Sequence, residues 1–140
     1  MGEIGARAFA AARAMVGVAF RPQGRDPVTG LDCVGLVWAA YAAAGCRLVR
    51  PVGYPLRGWS RERIEAALTA AGFVAAVGSA HAGDVALIAY PAGQFHLVIL
   101  GSASFVHAHA GLRRVVETPL DRPICGLAWW RLEQCPPRCN

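Results

Sequence analysis

The uncharged, apolar stretch over residues 33–46 constrains the fold of this chain more than any other segment. Apolar residues recur within it at helical spacing, and its glycine and alanines would let a sheet pack closely against one side. At 14 residues it has the length of a helix in a protein core and is too short to cross a bilayer. Gly45 is suited to end such a helix. We therefore predict a buried central helix over residues 33–44, without membrane insertion.

Asp32 and Cys33 stand at the start of this helix. An aspartate at that position can cap the helix, because its side chain accepts hydrogen bonds from first-turn amides. Cys33 falls in the first turn, where backbone N–H groups and the positive end of the helix dipole favour a thiolate. A cysteine that opens an apolar helix is also a common packing residue. Cys33 is therefore a candidate nucleophile only if the rest of the chain supplies a base.

The remaining segments divide the chain into a helical half and a strand half. Helical periodicity predicts a helix over residues 4–16, and Ser60 is suited to cap another that runs to residue 71. Residues 23–30 are expected to form a loop. From residue 73 onward, short apolar runs alternate with turn residues, which predicts strands. These runs are 73–77, 85–90, 97–100, 104–109, 113–117 and 127–132.

This order of elements predicts a single α+β domain over residues 1–140. Its N-terminal helices would pack on a mostly antiparallel sheet of five to six strands. The tail from residue 134 to 140 is expected to be irregular. High apolar content, 55%, and low charge, 16%, exclude a disordered chain.

The four histidines all lie in the strand half, at positions 81, 96, 107 and 109. His96 opens one predicted strand and His107 lies in the next, with a Gly101-Ser102 turn between them. This spacing fits a hairpin that brings both imidazoles to one end of a sheet. His109 is two residues from His107 and shares its face, so either ring can reach His96. A base and an orienting group would then stand near the helix that Cys33 opens.

Taken in chain order, these motifs resemble the NlpC-type cell-wall cysteine peptidases, which have a papain-like fold. The resemblance covers roughly residues 9–117. Loop 24–30 is most similar to the phage and gene-transfer-agent branch. The matching residues are Asp32-Cys33-Val34-Gly35-Leu36-Val37, Gly83-Asp84-Val85, His96-Leu97-Val98-Ile99-Leu100-Gly101 and Phe105-Val106-His107-Ala108.

The resemblance implies amide hydrolysis in peptidoglycan stem peptides through an acyl-enzyme. Cys33 would be the nucleophile, His96 the general base and His107 the residue that orients His96. The backbone N–H of Cys33, at the helix start, is a candidate oxyanion donor, with Asp32 as the helix cap. Peptidase and amidase activity stay open at this point, as does the choice between His107 and His109. No cofactor or metal is expected.

Three aromatic side chains are candidates for lining the substrate cleft. Phe20 stands where many members of the family have a tyrosine near the site, so the role of that hydroxyl is lost or taken over. His109 would lie at the rim. Trp129 and Trp130 point to opposite faces of the last strand, and we expect one in the core and Trp129 in the cleft.

Two other functions compete with hydrolysis. The same fold could serve as a non-catalytic structural domain of a phage tail. Cys33 and the histidines His96, His107 and His109 could instead bind zinc, for which cysteine and histidine are the usual ligands. The spacing lacks a common zinc motif, which makes this the weaker alternative.

Charge and cysteine usage suggest where such a protein would work. The net charge is +5 and all 14 basic residues are arginine, but they are scattered, so nucleic acid is not an expected partner. Arg7 and Arg13 interrupt any secretory signal, which predicts synthesis in a reducing cytoplasm. Most of the five cysteines, including Cys135 and Cys139, are therefore expected to be free. Incorporation into a phage-like particle, with tail proteins as partners, would bring the protein to the cell wall.

Overall fold

The computed structural model describes residues 3–51, 60–90, 94–120 and 128–135. Within these ranges the chain forms three helices and eight strands. In chain order they are α1 (Glu3–Ala14), β1 (Arg25–Asp26), β2 (Gly30–Leu31), α2 (Cys33–Ala43), α3 (Arg61–Ala71), β3 (Val74–Ala75), β4 (Val85–Tyr90), β5 (Gln94–Leu100), β6 (Ser104–His109), β7 (Arg114–Pro119) and β8 (Ala128–Arg131).

Six of the strands form one sheet in the order β3-β8-β4-β5-β6-β7, and every neighbouring pair is antiparallel. The helices precede this sheet in the chain, and α2 packs on β5 and β6. The predicted α+β class is confirmed, with six strands at the upper end of the predicted range. The described helices lack the combination of length and apolarity that crossing a membrane requires.

The central helix α2 is apolar on all sides, which is typical of a helix enclosed in a core. Its sheet-facing side chains are at most 1% exposed and share one core with β5 and β6; they include Leu36, Val37, Ala40 and Tyr41. The helix ends at Ala43, with Ala44 as the C-cap and Gly45 in a left-handed conformation at φ 95°. The predicted helix is confirmed to within one residue at its end.

The loop predicted over residues 23–30 contains structure that the sequence did not indicate. β1 and β2, of two residues each, pair as an antiparallel hairpin with residues 27–29 as its turn. The chain that enters this hairpin lies directly on α2. The carbonyl oxygen of Gly24 approaches Gly35 so closely that a Cβ atom at position 35 would overlap it. Other differences are smaller: β3 covers only two residues of the predicted 73–77, and β5 begins at Gln94, two residues before His96.

A disulfide joins Cys46 to Cys135, with their Cα atoms 5.6 Å apart. It links the end of α2 to the chain that follows β8. The expectation of free thiols is therefore wrong for these two cysteines. A sequence separation of 89 residues concealed the pair, since only the packing of α2 against the sheet brings them together. Cys125 and Cys139 lie outside the described residues.

Asp84 fastens the beginning of β4 to β8. Its carboxylate is 1% exposed and accepts two hydrogen bonds from Arg131, at 2.9 Å from Nε and 2.8 Å from Nη2. The His81 amide donates to the same carboxylate at 2.8 Å. Beside it, the Tyr41 hydroxyl donates to the Gly83 carbonyl at 2.6 Å, which ties α2 to this corner of the sheet.

Candidate active site

The sheet opens between β5 and β6. In the described part of the chain the two strands pair only at Ile99 and Leu100 of β5. The Leu100 N–H donates to Asp84 O, on the β4 side. Because N–H directions alternate along a strand, the Leu97 N–H points toward β6, where no strand pairing takes it up. The strands therefore leave a gap with a backbone donor directed into it.

Cys33 lies at this gap. Its thiol is close enough to the Leu97 N–H for that donor to favour the thiolate, which places Cys33 beside the residue that follows His96. The side chain is only 8% exposed, and Cys33 is the free cysteine of the described ranges. The first turn of α2 thus brings a buried thiol to the strand that carries the candidate base.

Asp32 is the N-cap residue of α2 and fixes the backbone before the thiol. Its Oδ1 accepts from Gly35 N at 2.7 Å, and its Oδ2 accepts from Gln23 N at 3.1 Å. These two bonds join the first turn of α2 to the segment that precedes β1. Asp32 therefore uses both carboxylate oxygens on backbone amides, as a structural cap does.

Two histidines and a threonine, His96, His107 and Thr118, form a hydrogen-bonded row across the strands β5, β6 and β7. His96 Nε2 lies 2.9 Å from His107 Nδ1, and His107 Nε2 lies 3.0 Å from Thr118 Oγ1 on β7. The two imidazole rings meet edge to face, with centroids 5.1 Å apart. Thr118 was not among the residues selected from the sequence, where it directly follows the strand predicted over residues 113–117.

The structure places His107, rather than His109, against His96. If the β5–β6 register continued past Ile99, His109 would stand opposite His96, but the strands separate before that point. His109 Nδ1 instead accepts from Leu112 N at 3.0 Å, in the turn after β6. Its ring remains 5.5 Å from that of His107. The orienting role of His107 stays a prediction, now with a hydrogen bond to support it.

The other two candidate cleft residues lie in different layers. Phe20 is half-buried against the main core, and its backbone pairs with Leu31 shortly before the thiol. Trp129 packs against the small cluster of Ala86, Val98 and Leu100, on the face of the sheet away from the helices. By strand alternation this is also the face of His96. Trp130 is the core member of the pair, at 7% exposure.

Burial holds the candidate pair in its neutral form. It raises the pKa of the Cys33 thiol to about 12, and the neighbouring Asp32 carboxylate adds to the rise. Burial lowers the pKa of His96 to about 3, with further lowering from His107 and His109. Exclusion of water thus outweighs the helix N-terminus, on which the sequence-based expectation of a thiolate depended. At neutral pH the site holds a thiol and an uncharged imidazole.

The geometry gives no support to the zinc alternative. Within the described ranges, no three histidine, cysteine or acidic side chains converge in a way that could hold a metal ion. His96 and His107 direct ring nitrogens at each other rather than at a common point. A thiol at a helix start, close to the strand that carries a hydrogen-bonded imidazole, is instead the combination that nucleophilic attack with proton transfer requires.

We expect the stability of the fold to fall as the pH drops below about 6.5. Burial lowers the pKa of His96 to about 3 and that of His107 to about 4, from 6.5. Between these values the unfolded chain binds more protons than the folded protein, so the free energy of unfolding decreases with falling pH, by roughly 2–4 kcal/mol in total at pH 4.5. Urea unfolding at pH 7.5 and 4.5 measures this difference.

His107→Gln should lose less stability than wild type on the same acidification, because one buried histidine is gone. His81→Gln, at an exposed position, should behave as wild type. An equal loss in wild type and His107→Gln would show that the acid sensitivity has another source.

The fold and the site define a papain-like α+β domain with a cysteine at the start of its central helix. Its structural neighbours are NlpC/p60 domains. The NlpC/p60 domain of the peptidoglycan hydrolase SagA is 25% identical, with 89% of this chain and 96% of that chain covered and a TM-score of 0.58. The P60 domain of an antigen from M. avium subspecies paratuberculosis is 16% identical, with 94% and 96% covered and a TM-score of 0.60.

NlpC1 from Trichomonas vaginalis is 18% identical, with a TM-score of 0.61; 91% of this chain and 43% of that chain are covered. The chain likewise spans less than half of NlpC2 from the same organism. No protein-family model and no curated protein matches the sequence. The chain therefore has the NlpC/p60 fold.

Proposed function

We propose that this protein is a cysteine hydrolase that cleaves amide bonds in peptidoglycan stem peptides through an acyl-enzyme. The observations that support the proposal are a buried thiol at the start of the central helix, Cys33, close to the backbone N–H of Leu97, and the hydrogen bond of His96, the residue before Leu97, with His107. The description of SagA as a peptidoglycan hydrolase supports the choice of substrate.

Because Cys33 is a thiol and His96 is a neutral imidazole, the thiol attacks and loses its proton in the same step. Cys33 Sγ attacks the amide carbonyl carbon while its proton passes to His96 Nδ1, the ring nitrogen that is not bonded to His107. The His96 imidazolium then donates through Nε2 to His107 Nδ1. The backbone N–H of Cys33 stabilises the oxyanion.

The second half of the reaction uses the same groups in reverse. The tetrahedral intermediate breaks its C–N bond, and the leaving amine takes the proton from His96. The acyl group remains on Sγ as a thioester. His96 then removes a proton from water, which attacks the thioester carbonyl carbon. The C–S bond breaks, His96 returns the proton to Sγ, and the carboxylic acid leaves.

The proposal includes delivery by a phage-like particle, in which tail proteins are the partners. The similarity of loop 24–30 to the phage and gene-transfer-agent branch supports it. The Cys46–Cys135 disulfide suits action outside the reducing cytoplasm, because disulfides persist in oxidising surroundings. Detection of the chain in purified tails, by an antibody against it, would test this part.

Incubation with defined muropeptides tests the hydrolase itself. Wild type should release a free amine and a new carboxylate from a stem peptide, and Cys33→Ala should release neither. Circular dichroism of both proteins checks that the substitution leaves the fold intact. Cleavage that survives in Cys33→Ala would contradict the assignment of the nucleophile. Absence of cleavage in both proteins would favour a structural domain of the same fold.

A further inference from the structure

We propose that Thr118 is a positioning residue whose hydroxyl accepts a hydrogen bond from His107 and thereby fixes the tautomer of that ring. The inference rests on the proposed hydrolase function, since it names a further residue of the same site. Thr118 would hold the hydrogen of His107 on Nε2, so that His107 Nδ1 accepts from His96.

The sheet register places Thr118 for this contact. On β7, Val116 stands opposite His107 and Thr118 stands opposite Phe105. Thr118 is therefore the diagonal neighbour of His107 on the same face, a position from which side chains on adjacent antiparallel strands interact. Its Oγ1 is 3.0 Å from His107 Nε2.

Proton transfer from Cys33 is possible with only one direction of hydrogen bonding along the row. To take a proton at Nδ1, neutral His96 must carry its own hydrogen on Nε2 and donate it to His107 Nδ1. His107 is then an acceptor at Nδ1 and, being neutral, bears its hydrogen on Nε2. That hydrogen needs an acceptor, which is the Thr118 hydroxyl.

The opposite direction would disable the base. If His107 carried its hydrogen on Nδ1, it would donate to His96 Nε2, and neutral His96 would then be protonated at Nδ1. That nitrogen could not accept the thiol proton. A hydroxyl can accept from or donate to a ring nitrogen, so Thr118 supports the productive arrangement by accepting from His107 Nε2, and the tautomer of His107 reports that direction. A valine of the same shape would leave the Nε2 hydrogen of a buried ring without a partner.

Two readouts on Thr118→Val test the inference. Two-bond proton–nitrogen NMR correlations of the imidazole rings report which nitrogen of His107 bears the hydrogen, and they require no substrate. Wild type should show the Nε2–H tautomer, and Thr118→Val should show a mixture. Under saturating muropeptide, Thr118→Val should lower kcat about tenfold with KM nearly unchanged, since it affects proton transfer rather than binding. Thr118→Ser, which keeps the hydroxyl, should restore both values.

Thr69→Val is the matched control, because Thr69 is exposed on α3 and the substitution is the same. It should leave the tautomer and kcat as in wild type. A His107 Nδ1–H tautomer in wild type would overturn the inference, as would a Thr118→Val protein with unchanged tautomer or unchanged kcat. If Thr118→Val does not fold, Thr118→Ala replaces it in both measurements. Failure of the hydrolase proposal would appear as absence of cleavage by wild type. The NMR measurement of the His107 tautomer needs no substrate, so it tests the role of Thr118 separately.

Discussion

We expect His96→Ala to lower kcat for muropeptide cleavage by about 10³-fold while the protein stays folded. The substitution removes the group that takes the thiol proton, and burial holds Cys33 in its thiol form at neutral pH. An enzyme without this base would depend on the small fraction of thiolate present. Steady-state kinetics at pH 7.5 measure the loss, and urea unfolding verifies the fold.

The other histidines provide a graded control. His107→Ala should lower kcat by roughly 10²-fold, since it removes the partner of His96 Nε2 and leaves the base in place. His109→Ala should stay within about threefold of wild type, because His109 bonds the Leu112 amide instead. A larger loss in His109→Ala than in His107→Ala would reverse the assignment of the orienting residue. Full activity in His96→Ala would exclude it as the base.

Arg131→Met is expected to destabilise the protein by about 3 kcal/mol. Arg131 holds the Asp84 carboxylate through two hydrogen bonds, and the carboxylate is 1% exposed. Without the guanidinium a buried negative charge stays unpaired, which costs more than the lost attraction alone. Urea unfolding at pH 7.5 measures the change in the free energy of unfolding.

An exposed ion pair and a double variant complete this test. Arg61 and Glu65 form a pair on α3 with side chains 52% and 40% exposed, so Arg61→Met should cost only about 0.5 kcal/mol. Asp84→Asn combined with Arg131→Met should cost less than the two single changes added together, since it removes the unpaired charge. Equal effects of Arg131→Met and Arg61→Met would show that Asp84 does not depend on its partner.

The sequence was most informative where local patterns determine structure. The uncharged run after Cys33 predicted α2 almost to the residue, because a helix enclosed on all sides needs no polar face. The strands over Val85–Tyr90 and Ser104–His109 were predicted with their observed bounds. Short turns between apolar runs also predicted the antiparallel sheet.

Features that depend on contacts between distant segments were not predictable. The choice between His107 and His109 depends on where β5 and β6 separate, and both residues have the same alternation pattern. The disulfide of Cys46 and the ion pair of Asp84 each have a partner far along the chain, at separations of 89 and 47 residues. Thr118 could not be selected from the sequence, because only the β6–β7 register brings it next to His107.

Pre-steady-state trapping of the acyl-enzyme tests the nucleophilic role of Cys33 most directly. Wild type is mixed with a muropeptide, quenched in acid within the first turnover, digested and examined by mass spectrometry. We expect the acyl part of the stem peptide on Cys33 as a thioester, with its amine partner released in equal amount. Cleavage with unmodified Cys33, or with the acyl group on another residue, would contradict the assignment.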